Sequence, residues 1–245
     1  MTKSLPQEPA MNDHISSAYD RDLEVITTLI VKMGGLVEDA ITNAARSLGD
    51  RDVELAEVVR KADKAIDALE EQINEEAART IALRAPVSKD LRAILTVLRL
   101  AASLERIGDY AKNIAKRTSV LVEMAPVSGS DAALRRMARE VEGMLKDTLD
   151  AYVRGDARLA EEVRQRDQEV DQMYNALFRE FLTFMMEDPR NITACMHLHF
   201  MAKNIERMGD LTTNMAEQVI YLVTGVMPDE ARPKGDRTSY VSDAR

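Results

Sequence analysis

Tryptophan is absent from this 245-residue chain, phenylalanine occurs four times and cysteine once. The lone Cys195 excludes an intramolecular disulfide and fits a reducing compartment. No uninterrupted apolar run reaches the roughly 18 residues that a membrane-crossing helix needs. Pro6, Pro9 and several charges stand where a signal peptide would have its apolar stretch. The expectation is a soluble, cytoplasmic protein with no direct membrane insertion. Positive charge is also in deficit: 33 Lys and Arg against 42 Asp and Glu, a net charge of −9. A basic footprint for a phosphate backbone is missing, so nucleic acid is not an expected partner. Nothing resembles a nucleotide-binding loop, a Ser/His/Asp triad or a catalytic cysteine. No Glu-x-x-His occurs, which argues against a di-iron carboxylate oxidase.

What is present is the composition of a helical bundle. Hydrophobic residues make up 45% of the chain, drawn mostly from Ala, Leu, Val and Met among many Glu, Lys and Arg. Apolar residues recur at helical spacing from His14 to Thr224. A first helix spans about 14–49 and ends at Gly49-Asp50. A second runs to Leu83, stopped before Pro86 because the residue preceding proline is pushed out of the helical region. A third covers about 88–123. Pro126 and Gly129 mark residues 125–130 as a linker, and Asp131 is expected to cap the fourth helix, which reaches Arg154. Gly155-Asp156 makes a tight join, the fifth helix runs to Glu187, and Asp188-Pro189 opens the sixth. Residues 1–12 and 227–245 lack periodicity and read as flexible tails. Met33, Met137, Met173, Met185, Met186 and Met201 read as core.

The halves repeat. At an offset of 104, Asp52 to Val59 falls on Asp156 to Val163, and Asp63 and Asp67 fall on Asp167 and Asp171. At an offset of 101, Glu105-Arg106-Ile107-Gly108-Asp109 falls on Glu206-Arg207-Met208-Gly209-Asp210. The turns at Pro86 and Pro189 absorb the difference. The expected fold is all-α: two tandem, repeat-related three-helix bundles of six long helices, at 13–124 and 131–226.

Each pentapeptide continues to an asparagine, Asn113 or Asn214, so Glu, Asp and Asn stand on successive turns of one helix face. Carboxylates four residues apart repel by a few tenths of a kcal/mol unless a positive charge lies between them. The neighbouring helix carries Asp63, Asp67 and Glu70 in the first half, and Asp167 and Asp171 in the second. Asp67 lies 18 residues before Ala85 and Glu105 20 after it, while Asp63 and Asp109 lie 22 before and 24 after. Equal counts are equal heights at about 1.5 Å per residue. In the second half Asp171 and Glu206 lie 17 and 18 residues either side of Asp188, and Asp167 and Asp210 lie 21 and 22. Each hairpin thus brings four carboxylates to one level, on the shoulders of the apolar arcs that border a shared groove.

Acidic residues on a helix shoulder are ordinarily solvated, and Lys64, Arg106, Lys112 and Arg207 stand three residues from one or another of these acids as ordinary ion-pair partners. The duplication with matched heights is what favours a bound cation. All-oxygen ligation selects Mg²⁺, Ca²⁺, Mn²⁺ or iron over a thiolate zinc site. His199 lies on the face of Glu206 and adds a candidate nitrogen ligand to the second cluster, although its counterpart is Leu98. Gly108 and Gly209, each costing about 1 kcal/mol against Ala in a helix, point to a close backbone approach beside the acids.

At this point the residues are specific. Lys32-Met33-Gly34, Ala85 to Arg92, Leu104 to Ala115 and the second Glu-Arg-Met-Gly-Asp resemble the PhoU family of bacterial phosphate-signalling regulators, over about residues 14–225. The resemblance implies multinuclear clusters of divalent or iron-type ions (Mg, Mn, Fe or Zn), held by Asp63, Asp67, Glu105 and Asp109 and by Asp167, Asp171, Glu206 and Asp210. Glu70, Asn113, Asn214 and His199 are subsidiary candidates. Tyr174 stands where the first half has Glu70, so the second site is expected to be weaker or differently populated. The resemblance further implies a homodimer and a non-enzymatic role: linking a phosphate ABC transporter and its ATPase to a sensor histidine kinase, keeping the phosphate-starvation (Pho regulon) response off. The protein would reach the inner membrane only through those partners. Two other readings of the residues remain open, a metal-dependent phosphohydrolase and a metal-free helical scaffold.

Overall fold

Asp52 and Asp156 start equivalent helices by the same chemistry. Asp52 accepts from the Leu55 backbone N–H at 2.9 Å, and Asp156 accepts from Arg158 and Leu159, both at 3.0 Å. Each carboxylate satisfies N–H groups that have no partner within the helix. Stops are equally local: Ala85 turns left-handed and returns its N–H to Ile81, with Pro86 behind it, and Gly155 closes the fourth helix at φ +64°. The computed structural model describes residues 11–228 and contains α1 (Met11–Asp50), α2 (Val53–Arg84), α3 (Lys89–Leu121), α4 (Ser130–Arg154), α5 (Ala157–Glu187) and α6 (Ile192–Thr224), with a single 3-10 turn at Pro189–Asn191. There is no strand among the described residues.

Three local readings change. Residues 11 and 12, read as tail, belong to α1, and residues 1–10 and 229–245 of the expected tails lie outside the described residues. Asp131 does not cap α4. The cap position is Gly129 at φ +78°, with no side-chain cap, and the Ser130 hydroxyl donates back to the Val127 carbonyl at 2.8 Å. Met33, Met137 and Met201 are fully buried and Met173 and Met185 partly so, but Met186 is 77% exposed, because it sits in the last turn of α5 where the neighbouring helix no longer covers it.

Each half packs as a three-helix unit, and the two units share one continuous apolar core. α1, α3, α6 and α4 form a central ring in which α1 lies on α4 and α3 on α6. α2 fills the groove of α1 and α3, and α5 fills that of α4 and α6. Contacts across the ring give its symmetry. Arg99 meets Gln218, Tyr110 meets Arg207 and Arg117 meets Phe200, so α3 and α6 run antiparallel. With the repeat offset of 101, the position paired with its own counterpart is Gly108 with Gly209. A pseudo-two-fold axis therefore passes there and relates the two hairpins, one on each side of the α3–α6 contact. The sequence repeat has become a spatial one.

Candidate metal centre

In the first hairpin the acids differ sharply in exposure although they share a level. Asp63 is buried, Glu70, Glu105 and Asp109 are half-buried, and Asp67 and Asn113 are exposed. Residues 63 and 67 are about 40° apart around a helix, enough to turn one toward α3 and the other outward. The acids still act on one another. Burial raises the Glu105 carboxyl above its usual range, and Asp109, Glu70, Asp67 and Asp63 raise it further. Asp67 is raised by burial and then by Asp63, against a lowering by Lys112. Glu70 is raised by burial and by Asp67. Negative charge is crowded here beyond what the surroundings neutralise.

Among the described residues, Lys112 is the one internal countercharge of this hairpin. Its ammonium lies 2.5 Å from Asp63 of α2 and 2.5 Å from Asp109 of its own helix. Burial pulls its pKa down, but the hydrogen bonds to Asp109 and Asp63 outweigh this and raise it. The spacing of three from Asp109 was visible in the sequence. The link to Asp63 on the other helix was not, because residue spacing within one helix carries no record of which neighbour it faces.

The second hairpin solves the same position differently. Asp167, Asp171 and Glu206 are only 4%, 5% and 5% exposed, Asp210 is half-buried and Asn214 exposed. The counterpart of Lys112 is Thr213, a neutral residue whose hydroxyl donates to Asp167 Oδ1 at 3.2 Å. Lys203 reaches Glu206 at 2.8 Å and lies 4.8 Å from the centre of the Tyr174 ring. Tyr174 is buried where Glu70 stands in the first half. His199 is held among aromatic rings, 5.9 Å from Tyr174, 5.4 Å from Phe178 and 6.1 Å from Phe200. Burial, then Lys203, lowers its pKa, and its Nδ1 is buried without a hydrogen-bond partner.

The glycines fit the expected close approach. A methyl group on Gly108 would stand 3.0 Å from Ile66 Cδ1 and 3.9 Å from Asp63 Oδ1. One on Gly209 would stand 3.3 Å from Val170 Cγ1 and 3.7 Å from Asp167 Oδ1. Each glycine thus lets the acidic strand of one helix face approach the other helix at the site. Gly209→Leu is expected to wedge α5 from α6 at a cost of about 1–3 kcal/mol from overpacking, read as a lower urea midpoint. Gly209→Ala is expected to be near neutral, since the tight contact offsets the roughly 1 kcal/mol gain in helix propensity.

As the side chains stand, no three of these carboxylates, nor of His or Cys, converge closely enough among the described residues to hold one ion. The donor chemistry nevertheless fits a hard cation: the sets are rich in carboxylate oxygen, mutually repelling, and placed by two rigid helices. Ligation requires side-chain rotation, and in the first hairpin it requires the Lys112 ammonium to yield. Asp63, Asp67, Glu105 and Asp109 would hold ions there, and Asp167, Asp171, Glu206 and Asp210 in the second. Glu70 is near enough to Asp67 and Glu105 to join the first set. Asn113 and Asn214 are exposed, and His199 belongs to the aromatic cluster.

Comparison with known proteins agrees with this architecture. The family model described as the PhoU domain matches residues 30–118 and again 134–219, the two halves of the repeat. A phosphate-specific transport system accessory protein PhoU homolog of Rhizobium meliloti is 46% identical over 92% of this chain and 95% of its own length. One from Caulobacter vibrioides is 44% identical over 92% and 98%. The crystal structure of PhoU from Pseudomonas aeruginosa superposes with a TM-score of 0.82 at 39% identity, covering 85% of this chain and all of that one. The phosphate transport system regulatory protein PhoU from Streptococcus pneumoniae gives 0.80 at 30% identity, over 86% and 100%. With both halves matched, and relatives of this identity spanning nearly its whole length, the chain belongs to the PhoU family.

Proposed function

We propose that this chain is a metal-binding regulatory adaptor of phosphate homeostasis, a negative regulator of phosphate uptake and of the Pho regulon. It links a high-affinity phosphate ABC transporter to a sensor histidine kinase. The observation that carries the metal part is the crowding of carboxylates in two symmetry-related hairpins, Glu105 and Asp67 raised in pKa by neighbouring acids in the first and three of the four nearly fully buried in the second. The adaptor part is supported by the names of the relatives, accessory proteins of phosphate-specific transport systems. No helix among the described residues is long and apolar enough to cross a membrane, which fits a protein that meets membrane-bound partners from the cytoplasm, as a homodimer with a preformed surface. It does so without catalysing a reaction. Deleting the gene is expected to raise alkaline phosphatase and transporter expression in phosphate-rich medium. A deletion strain that still represses normally, with no second such protein to compensate, removes the reading.

A further inference from the structure

The acids of α3 and α6 and the arginines of α3 and α6 occupy different faces. Glu105 and Asp109 turn toward α2 and its Asp63. On α6, Glu217 pairs with Arg164 of α5, and Glu206 pairs with Lys203, whose ammonium lies against Tyr174 of α5. Arg92, Arg99, Arg106 and Arg117 fall about 100° further round α3 than Glu105 and Asp109, on one stripe with Tyr110, and the Arg92 guanidinium lies 5.5 Å from the Tyr221 ring centre of α6. That stripe borders α6. Arg99 donates to Gln218 Oε1 at 2.7 Å. The Arg117 guanidinium lies 4.5 Å from the Phe200 ring centre and 3.3 Å from His197 Nδ1, and the Arg207 guanidinium lies 6.0 Å from the Tyr110 ring centre. Arg106 is exposed and is the repeat counterpart of Arg207. Among the described residues, the ion pairs that α3 and α6 make use Lys112, Lys203 and Glu217, and none of the five arginines is among them. Among the described residues the seam holds five guanidinium groups, those of Arg92, Arg99, Arg106, Arg117 and Arg207, and no carboxylate, in a chain of net charge −9.

We infer that the α3–α6 seam is a docking surface for a carboxylate-rich segment, one helix or strand wide, of a protein partner. Guanidinium groups present planar forks that pair bidentately with carboxylates, so such a segment is recognised by geometry as well as by charge. The exposed Phe200 and Met196 at one end supply an apolar anchor of the kind that concentrates interface energy. The width follows from the flanks. Glu105 and Asp109 on α3 and Glu206 and Asp210 on α6 flank the stripe on either side, about 100° round each helix, so a broad anionic surface such as a membrane or a nucleic acid meets repulsion on both edges. A narrow segment lies between them. Net charge does not oppose this, because the acids on the far side of the molecule lie several Debye lengths of about 8 Å away and are largely screened at physiological salt. Arg99 and Arg117 are about 27 Å apart along α3 at the usual helical rise, the length of a segment of about 18 residues if helical. This deepens the adaptor reading, and rests on it in that the chain acts through protein contacts.

The test is fluorescence anisotropy with a labelled, alanine-rich helical peptide of about 18 residues carrying Glu along one face. Saturable binding is expected, with Arg106→Glu/Arg207→Glu weakening it at least about tenfold, as for loss of paired charges at an interface. Arg106→Gln/Arg207→Gln, which keeps the helices free of new charge, is expected to weaken it in the same direction. Arg136→Glu/Arg139→Glu on exposed positions of α4 is expected to change it less than about twofold, since bulk charge is screened. Four results overturn the inference: no saturable binding, equal binding of the peptide with Gln in place of Glu, an equal loss in the α4 control, or arginine-dependent binding of phosphatidylglycerol vesicles without binding of the peptide. A change of oligomeric state in Arg106→Glu/Arg207→Glu by sedimentation assigns the seam to a second copy and also overturns it. A deletion strain that represses normally removes the adaptor reading and leaves the peptide result standing, so the two fail separately.

Discussion

Replacing Glu105 and Asp109 together by Ala is expected to strip metal from the first hairpin while leaving helical content nearly intact. Both side chains are half-buried and neither fills the apolar core, so the fold should lose little beyond the contact of Asp109 with Lys112. Elemental analysis of the purified variant checks the first part and circular dichroism the second. An unchanged metal content per chain would falsify the assignment of the first cluster. A single replacement, Glu105→Gln, separates a metal site from an ordinary surface ion pair by sign. The Glu105 carboxyl is raised by burial and by its acidic neighbours, so the metal-free folded state holds a proton more tightly than the unfolded chain. Stability then falls as pH rises through the carboxylate range, from about 4 upward. Gln is spared that loss. Without metal the variant should be more stable than the parent at pH 7 by a few tenths of a kcal/mol, the group being partly screened by solvent, and the difference should vanish below about pH 4. With Mn²⁺ present the order should reverse. A parent more stable than the variant at pH 7 without metal contradicts the picture of uncompensated charge.

Lys112→Thr, which installs the residue of the equivalent position in the second half, is expected to raise the affinity of the first hairpin for Mn²⁺ by at least about tenfold. At 4 Å and an effective dielectric of 20, two unit charges interact by about 4 kcal/mol. An ammonium held 2.5 Å from both Asp63 and Asp109 therefore competes strongly with a divalent ion for the same oxygens. At the equivalent position the second hairpin has neutral Thr213, which donates only a hydroxyl to Asp167, and its own ammonium, Lys203, sits on Glu206 instead. The cost of displacing Lys112 acts against the extra carboxylate of Glu70, which favours the first hairpin. The balance of the two sites is expected to turn on three positions, Glu70 against Tyr174, Lys112 against Thr213 and Ala102 against Lys203. Without metal the variant should be less stable than the parent, because the buried Asp63 loses its partner. Isothermal titration of metal-free protein measures the affinity, and an equal or weaker Mn²⁺ affinity in Lys112→Thr removes Lys112 as a competitor.

The helices, their joins and the duplication were legible because the forces that make them are local or periodic. Asp52 and Asp156 satisfy N–H groups two or three residues away, and Pro86 acts on its immediate neighbour. Equal counting from the turns placed Asp67 beside Glu105 because helical rise is constant, and the raising of the Glu105 carboxyl by Glu70 and Asp67 agrees with that proximity. Asp131 misled because side-chain chemistry favours it as a cap, whereas Gly129 at φ +78° takes the turn with backbone freedom instead.

The sequence by itself determined six amphipathic helices, the repeat, and the level at which the acids of each hairpin stand. Tertiary structure decided which acids are buried, that Lys112 bridges two helices, and that α3 meets α6 about a pseudo-two-fold axis at Gly108 and Gly209. The reason is physical: helix formation and capping depend on atoms a few residues apart, so their causes lie in neighbouring letters of the sequence. The partner of a side chain on a helix shoulder depends on the rotation and crossing of another helix, which packing of the whole core sets. The arginine seam is the plainest instance. Its five arginines are scattered from 92 to 207 in the chain, and only the antiparallel contact of α3 with α6 makes them one surface.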